Sequence, residues 1–451
     1  MRLVDMSALE DRRPDHCFIY WRLPDPHYLC ASFFVISIVW YGMVWYVPPY
    51  HIIILRPSLI TMTSPEPPYR IVSLATSGGI ANNDSPKILL HNTELLTDLL
   101  QTQDRQTIVI DGVFHLWHGV RVVDQSHLHL QFQPGAALRF HRDYENPQRF
   151  RNSTVDQGGR PPACLAFHRV QNLTLTGDAS LTSLRGLLHG GGSAWWGWPY
   201  VGYAQVLEHR PYLLLFNHST DVTLAHMVLQ DSPFYHVQIT DSRRVQVHHT
   251  SIVSRRTRQL THSAWDLSAF NTDGIDIAGH DVHVHDLDIW LQDDCIAVKD
   301  NLWSTDIDRE TNGRLSSNML FERITASGLG LTIGSISGTT VQNITFRDSI
   351  LYRTYKGIYA KFRAPSNPHS HPHNSLIQNI LYENITMIEP LQYAIWLGPA
   401  QQNGGHTSNP CHAAPCSLCW PHIPGATCDV VPNARYRNIT LRNIDIVNAK
   451  G

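Results

Sequence analysis

A recurring strand-and-turn unit is the feature that most constrains how this chain folds. A small polar turn, an Asn and an alternating apolar run recur at residues 170–175, 341–346, 381–387 and 437–441. Related strands start at Val222 and Val245, 23 residues apart, and Met319 lies 22 residues before Val341. Units of this length, built from short β-runs and Asn, Gly or Asp turns, predict a wound parallel solenoid. The fold class expected from the residues is therefore all-β.

The Asn residues of these units have two interpretations. Short polar side chains favour turns, so the Asn side chains would stack between successive coils. Several of them also begin N-x-S/T sequons and are candidate glycan acceptors. The sequons begin at Asn83, Asn152, Asn172, Asn217, Asn343, Asn384 and Asn438. A sequon in a packed strand is not expected to carry a glycan.

Composition excludes some classes of function. The chain has 451 residues, with 43% hydrophobic and 16% charged residues, which is typical of an ordered protein with a core. With a net charge of −3 the chain has no excess of basic residues, so no nucleic-acid partner is expected. The solenoid is predicted over residues 70–451. The sequence stops at Gly451 directly after a strand, without the polar cap that solenoids need, so we expect a truncation there.

The N-terminal region predicts export from the cytoplasm. Residues 1–27 are polar, residues 28–55 contain no Lys, Arg, Asp or Glu, and residues 56–69 read as a linker. The apolar run at 28–46 is close to the length of a membrane helix. It is either a signal-anchor or a secretion signal that follows a spurious extension. Both interpretations predict an extracellular domain, either membrane-anchored or secreted.

Four of the eight cysteines cluster near the C-terminus. Cys411, Cys416, Cys419 and Cys428 are spaced as in a zinc site or in two disulfides. An extracellular setting favours disulfides, and three pairings are possible. Cys295 is expected to be a small buried side chain.

Three acids lie in two short motifs within residues 270–300. Asp273 precedes Gly274, and Asp293 and Asp294 are adjacent, 20 residues further on from Asp273. A spacing of one coil would place these acids in neighbouring coils, about 4.8 Å apart. A protonated and an ionised carboxyl on either side of a sugar linkage are the minimum for glycoside hydrolysis. If both adjacent acids face one side, the backbone must bend between them, because consecutive strand residues alternate faces.

Seven ordered motifs resemble those of glycoside hydrolase family 28, the polygalacturonase family. The resemblance covers the chain from about residue 107 to its end, and the order and spacing of the motifs carry it. They are GGGSAWW at 190–196, RP at 210–211, SPFYH at 232–236, NTDGID at 271–276, QDDC at 292–295, GLGLTIGS at 328–335 and GIYAK at 357–361.

The resemblance implies a right-handed parallel β-helix that hydrolyses pectin-type polysaccharide with inversion. It implies that Asp293 is the general acid and that Asp273 and Asp294 hold the attacking water. Inverting carboxyl groups are expected about 6.5–9.5 Å apart. Asn271 and Gln292 are candidate substrate-binding residues. No cofactor or metal is expected, and the protein is expected to be a monomer.

Two positions depart from the family pattern. The His of the family's G-H-G motif is Leu329, and the Arg of its R-I-K motif is Tyr359, whereas the Lys is retained as Lys361. In the family, the Arg and Lys hold a galacturonate carboxylate beside the scissile bond. A Tyr cannot pair a carboxylate bidentately. Arg363, two residues beyond Lys361, is a candidate replacement, or else an exposed charge at a strand end.

Histidines offer two further hypotheses. His283 and His285 share a strand face and have the spacing of metal ligands, although stacked β-helix side chains explain them equally well. His369, His371 and His373 lie in a loop after the last motif. That loop is a candidate source for the missing imidazole, or a plain solvent loop.

Three rival functions remain open. A relative that cleaves rhamnogalacturonan or substituted galacturonan would suit the changes at Leu329 and Tyr359. A catalytically inactive carbohydrate-binding β-helix would be favoured if Asp293 pointed into the core. A polysaccharide lyase of the same fold would need calcium and an Arg or Lys base, and the three-Asp arrangement argues against it.

Overall fold

Twenty-two strands and one helix form the part of the chain that the computed structural model describes. It describes residues 70–101, 105–143, 163–180, 185–196, 210–257, 262, 269–301, 304–308, 314–363, 375–399 and 433–449. The N-terminal segment at 28–46, the four clustered cysteines and the His loop at 369–373 lie outside these residues. Within them, no helix is long and apolar enough to span a bilayer.

The strands follow one another almost without interruption. They are β1 (Arg70–Ser73), β2 (Gln106–Ile110), β3 (Val113–Trp117), β4 (Val120–Val123), β5 (Ser126–Phe132), β6 (Ala137–His141), β7 (Ala163–His168), β8 (Gln171–Thr176), β9 (Gly186–His189), β10 (Tyr212–Asn217), β11 (Thr220–Ala225), β12 (Met227–Gln230), β13 (Val237–Val253), β14 (Ile275–Trp290), β15 (Asp294–Val298), β16 (Arg314–Ser327), β17 (Gly330–Ile336), β18 (Thr339–Tyr352), β19 (Ile358–Phe362), β20 (Ser375–Ile388), β21 (Ile395–Pro399) and β22 (Ala434–Val447). The helix α1 spans Pro86–Leu100.

Parallel pairing between successive coils confirms the solenoid. Strand β13 pairs with β10, β11 and β12 through three consecutive segments, so one long strand follows three sides of a coil. The chain forms a right-handed parallel β-helix, in which each coil pairs with the coils before and after it. Two lines of strands continue to the C-terminal end, one through β14, β15, β17, β19 and β21, the other through β14, β16, β18, β20 and β22.

The sequence predicted the length of the coils only in part. Val222 pairs with Val245, as the 23-residue interval predicts. Met319 pairs with Ile344, three residues beyond Val341, so the coil length here exceeds the 22-residue interval between similar residues. Coil length varies since the turns between strands differ in length, so intervals between similar residues do not give the register by themselves.

Residues with a left-handed backbone mark the corners of the coils. Asn318, Asn343, Asn379 and Asn438 have φ between 52° and 59°, a region that Asn tolerates better than most residues. Their side-chain amides form a ladder: each donates to the preceding member over 2.9–3.3 Å. This confirms that Asn stacks at the turns. The sequon residue Asn217, in contrast, is buried, and its amide donates to the His168 ring over 3.2 Å.

A continuous apolar core fills the coils. Phe321, Phe346 and Tyr382 stack on successive coils, with ring centroids 4.5 and 4.8 Å apart. At the N-terminal end, Leu96 and Leu100 of α1 join this core. The sequence predicts this helix over 94–102. It begins earlier, at Pro86, because a proline is tolerated in the first turn of a helix.

Candidate active site

The three motif acids lie together on one side of the β-helix. Asp273 immediately precedes β14, and Asp293 and Asp294 stand at the start of β15, which pairs in parallel with β14. One carboxylate oxygen of each acid lies within 4.8 Å of the others. The sequence-based expectation that the acids come from adjacent coils is confirmed.

Backbone geometry brings the adjacent acids to the same side. The chain bends at Gln292 and Asp293, and the pairing of β15 with β17 shifts by one residue after Asp294. Cys295 points instead into the core, fully buried and without a disulfide, as expected. At Gly274, an added Cβ would lie 2.2 Å from the Cys295 carbonyl oxygen. Only glycine permits this close approach of the two coils.

Two motif residues upstream hold the Asn271 turn and the Asp273 backbone in place. Arg210 donates to the Phe270 carbonyl oxygen over 2.8 Å and to Asn271 Oδ1 over 3.1 Å. The buried His236 bonds through its backbone N–H and through Nδ1 to the Asp273 carbonyl oxygen, over 2.8 and 3.0 Å. Burial lowers the His236 pKa, so the ring is neutral and Nδ1–H donates. His236 thus acts on the backbone, and Arg210 acts on the backbone and on the Asn271 side chain.

Asp293 accepts hydrogen bonds on both oxygens. The backbone N–H and side-chain amide of Asn271 donate to its Oδ2 over 3.0 and 3.2 Å, and the Asp294 N–H donates to its Oδ1 over 2.9 Å. Burial and the neighbouring Asp294 charge nevertheless raise the Asp293 pKa. Asp293 is 7% exposed and does not belong to the apolar core, where its position would have favoured an inactive binder.

Asp294 has the opposite electrostatic setting. Lys361 Nζ lies 3.1 Å from its Oδ2, and the Thr332 hydroxyl donates to its Oδ1 over 2.7 Å. Burial works to raise the Asp294 pKa, but Lys361, Lys299 and Thr332 together lower it. The pKa values of the two adjacent carboxyl groups are therefore shifted in opposite directions, upward for Asp293 and downward for Asp294.

Lys299 and Asp276 complete the charged cluster, and the sequence analysis did not single them out. Lys299 Nζ lies 3.2 Å from Asp276, 3.6 Å from Asp273 and 3.9 Å from Asp294. Burial, opposed by Lys299, raises the Asp276 pKa to about 6. Burial also raises the Asp273 pKa, together with the Asp293 and Asp276 charges. Asp276 is the last residue of the motif at 271–276, so the motif was the available signal for it, whereas the role of Lys299 depends on which coils meet in space.

A carboxylate cluster of this spacing is also a plausible cation site, because hard cations prefer oxygen ligands. Here, however, the Lys299 and Lys361 ammonium groups already lie against the carboxylates. These two positive charges supply the compensation that a bound cation would bring. The residues therefore do not fit a resident calcium ion.

Tyr359 lies between two lysines. Its ring centroid is 4.2 Å from Lys361 Nζ and 4.8 Å from Lys356 Nζ. Burial lowers the Lys356 pKa to about 8, and the Lys361 charge acts in the same direction. The predicted replacement, Arg363, is exposed just beyond β19, and its charge acts on Asp300. Lys356 is thus a second cation beside Lys361 that sequence reasoning missed.

Leu329 and Gln292 flank the acid motif. The Leu329 N–H donates to the Asp293 carbonyl oxygen over 2.6 Å, so the position of the family's His is adjacent to Asp293. Gln292 is buried, and its Oε1 lies 3.1 Å from His262 Nδ1. His262 also contacts the Ser327 hydroxyl over 2.7 Å and stacks on Trp290. An imidazole from another part of the chain therefore contacts the side of the site where Leu329 replaces a His.

The sequence profile of "Glycosyl hydrolases family 28" matches residues 123–417. The chain belongs to this family. A polygalacturonase of Cryptomeria japonica is 26% identical over 256 residues, covering 54% of this chain and 40% of the relative. An endopolygalacturonase D of Aspergillus niger is 32% identical over 149 residues, covering 32% of this chain and 26% of the relative. The chain thus spans two fifths or less of the length of these curated relatives.

Solved structures share the fold. A polygalacturonase from Erwinia carotovora superposes with a TM-score of 0.55 at 18% identity, covering 87% of this chain and 99% of that one. An endo-xylogalacturonan hydrolase from Aspergillus tubingensis also gives a TM-score of 0.55, at 16% identity, covering 84% of this chain and 93% of that one. These similarities support the parallel β-helix.

Proposed function

We propose that the protein is an inverting glycoside hydrolase that cleaves α-glycosidic bonds in a pectin-type polysaccharide. The observation that carries the proposal is the meeting of three motif carboxyl groups on one side of the β-helix, with one oxygen of each within 4.8 Å of the others. General acid–base catalysis needs one group that gives a proton and another that takes one at the same pH. Family membership adds the reaction class.

Asp293 is the proposed general acid. Its proton goes to the glycosidic oxygen as the bond from that oxygen to the anomeric carbon breaks. The Asp294 carboxylate takes a proton from the water that attacks the same carbon from the opposite face. Asp273 holds this water as its second partner. The step balances, because Asp293 gives one proton to the leaving oxygen, water adds its hydroxyl to the anomeric carbon, and Asp294 takes the other proton of that water. Proton exchange with solvent then returns Asp293 to the acid form and Asp294 to the carboxylate.

The separation of the acids bears on stereochemistry. Their nearest oxygens lie within 4.8 Å, closer than the roughly 6.5–9.5 Å between the carboxyl groups of an inverting pair. The 4.8 Å is a separation of nearest oxygen atoms, the 6.5–9.5 Å range refers to whole carboxyl groups, and in the proposed arrangement Asp273 also holds the water. Inversion is therefore proposed from the family resemblance, and the anomer of the first product tests it.

The cations beside the acids support an acidic substrate. Lys361 and Lys356 are proposed to face a sugar carboxylate, with Asn271 and Gln292 supporting the same site. Tyr359 and Leu329 replace a charged and a polar residue of the family pattern, which favours a less charged sugar face next to the scissile bond. The second candidate substrate is therefore a branched or mixed pectin backbone, such as rhamnogalacturonan or substituted galacturonan.

The setting proposed for this activity is extracellular. Pectin-type polysaccharide is a cell-wall material, and the N-terminal apolar segment and the sequons are consistent with export. The domain is proposed to be secreted or held at the membrane through residues 28–46, and to act as a monomer without a nucleic-acid partner. Sequencing the N-terminus of protein expressed in a eukaryotic host distinguishes a cleaved segment from a retained one.

A panel of pectin fragments tests the function. The full chain is incubated with polygalacturonate, methylated and xylosylated galacturonans, and rhamnogalacturonan, and new reducing ends are measured. Proton NMR of the first product should show the inverted anomer. Asp293→Asn serves as the matched inactive control, because it keeps the size of the side chain. Equal release of reducing ends by wild type and Asp293→Asn would contradict the proposal, and a retained anomer would contradict the mechanism.

A further inference from the structure

A group of imidazoles lies on the outside of three successive coils, away from the line of strands that carries the acids. His226 follows β11, His248 and His249 lie in β13, and His285 lies in β14. Parallel pairing sets His248 beside Ala225 on one side and beside His285 on the other. Their neighbours in each strand, such as Val247, point into the core, so these rings face outward.

Three of these rings have the geometry of a metal site. One ring nitrogen each of His226, His248 and His249 lies within 4.8 Å of the others. The Nδ1 atoms of His248 and His249 are 2.9 Å apart. Zinc binds imidazole nitrogen at about 2.0–2.1 Å, so two ligand atoms of a tetrahedral ion lie about 3.4 Å apart. The 2.9 Å between His248 and His249 and the limit of 4.8 Å for the trio lie on either side of that spacing.

We propose that His226, His248 and His249 bind a zinc ion between two adjacent coils. Three neutral imidazoles with a fourth position open to water are a common donor set for zinc. The ion would link the turn after β11 to β13. It would lie apart from the catalytic acids, since the first segment of β14 carries Asp276 and pairs with β15, whereas His285 in its second segment pairs with β16.

A neighbouring trio is a weaker candidate for the ligands. His249, His285 and Asp286 also meet the distance criterion. However, Arg323 donates to both oxygens of Asp286 over 2.9 and 3.0 Å, and His285 Nδ1 lies 2.6 Å from the same carboxylate. Asp286 therefore fixes the orientation of His285, which stacks on His248 with ring centroids 4.9 Å apart. A carboxylate that orients a histidine is a typical support for a metal site.

The backbone offers matched substitutions. His226 and His249 have φ of 56° and 51°, in the left-handed region. Asn tolerates this region, and Asn384 and Asn443, which have φ of 54° and 52°, form the same kind of corner in later coils. His226→Asn and His249→Asn thus remove the ring and keep the turn. His218→Asn is the control, because His218 also has a left-handed backbone but pairs with Asp241.

The experiment titrates zinc chloride into the metal-stripped full chain by calorimetry. Wild type should bind one more equivalent of zinc than His226→Asn or His249→Asn, with each variant weakening that site more than about 100-fold. His285→Gln should weaken it about 10–100-fold, as expected for a positioning residue. His218→Asn should match wild type. Zinc should also raise the Tm of wild type and not that of the two ligand variants, because only a ligand of the native state stabilises it.

Other outcomes overturn the proposal. Identical zinc stoichiometry and affinity in wild type and in both ligand variants would show that these rings bind no metal. Loss of the site in His285→Gln with retention in His226→Asn would place the ion on the neighbouring trio instead. Either result leaves the proposed hydrolase function untouched, because no catalytic residue is changed.

Discussion

Two columns of side chains in this β-helix share one construction and differ in their consequences. Inside the coils, Phe321, Phe346 and Tyr382 stack ring on ring and are fully buried. On the outside of a neighbouring line of strands, Asp273 and Asp294 come from successive coils and are also almost fully buried. Both columns exist because parallel pairing places equivalent residues about 4.8 Å apart.

The same spacing stabilises the fold at the aromatic column and destabilises it at the column of acids. Stacked aromatic rings gain packing and remove apolar surface from water. Stacked carboxyl groups repel one another when ionised and lose solvation when buried, and this raises the pKa of Asp273 and of Asp293. Lys299 and Lys361 offset part of that cost. The comparison teaches that the coil repeat supplies proximity, and that residue chemistry decides whether proximity serves stability or catalysis.

The largest expected effect is a loss of activity at the acids, which should leave stability almost unchanged and so distinguishes the acids from the aromatic column. Asp293→Asn should lower kcat by about 10²–10⁴, because a positioned general acid contributes that much. Its Tm should stay within a few degrees of wild type, since the change removes one member of a crowded acid cluster. Kinetics and thermal denaturation of the same preparation check both statements. Loss of the fold together with activity would mean that Asp293 is a structural residue.

Phe346→Ala should produce the reverse pattern. Removing a fully buried ring between two stacked rings should cost about 3–5 kcal/mol in the free energy of unfolding. Activity per folded molecule at low temperature should be unchanged, because the ring lies in the core and not at the acids. Urea denaturation measures the first statement, with Phe346→Leu as the control that keeps most of the volume. A loss below about 1 kcal/mol would show that the stack contributes little.

The acids were easier to predict from the sequence than the aromatic column was. The motifs placed Asp273, Asp293 and Asp294 in one site, since their residue types and order are distinctive. Register was harder: Met319 pairs with Ile344 and not with Val341, because apolar strand residues look alike and coil lengths vary. The sequence did not predict the roles of Lys299, Lys356 and His262 for a related reason. Their roles depend on which coils and loops meet in space, and local patterns do not encode that.

Substrate choice should respond to the two positions that depart from the family pattern. Leu329→His combined with Tyr359→Arg should raise kcat/KM on plain polygalacturonate by about 10–150-fold, the equivalent of the 1.5–3 kcal/mol of a charged hydrogen bond. Wild type should prefer a branched or mixed pectin backbone. Arg363→Gln is the control and should change little, because Arg363 is exposed beyond the strand. Strong wild-type activity on unsubstituted polygalacturonate would refute this prediction.

The smallest expected effect is a shift in the pH dependence of activity. It measures how far the Lys299 charge offsets the repulsion among the stacked acids. Burial works to lower the Lys299 pKa, but Asp276, Asp273 and Asp294 raise it, so the ammonium stays charged. Its charge in turn lowers the pKa of Asp294, the proposed base, which must be ionised. In Lys299→Met the Asp294 pKa should rise, because an opposite charge 3.9 Å from its carboxylate is removed.

The sign of that shift follows from the proton balance. Activity is lost as pH falls through the pKa of the base, so raising this pKa moves the acidic limb of kcat/KM to higher pH. Lys299 also lowers the Asp293 pKa, so its removal moves the alkaline limb upward as well. Lys299→Arg keeps the charge and should keep both limbs close to those of wild type. An acidic limb that stays in place in Lys299→Met would mean that Lys361 alone sets the ionisation of Asp294, and that the acid column needs only one cation to function.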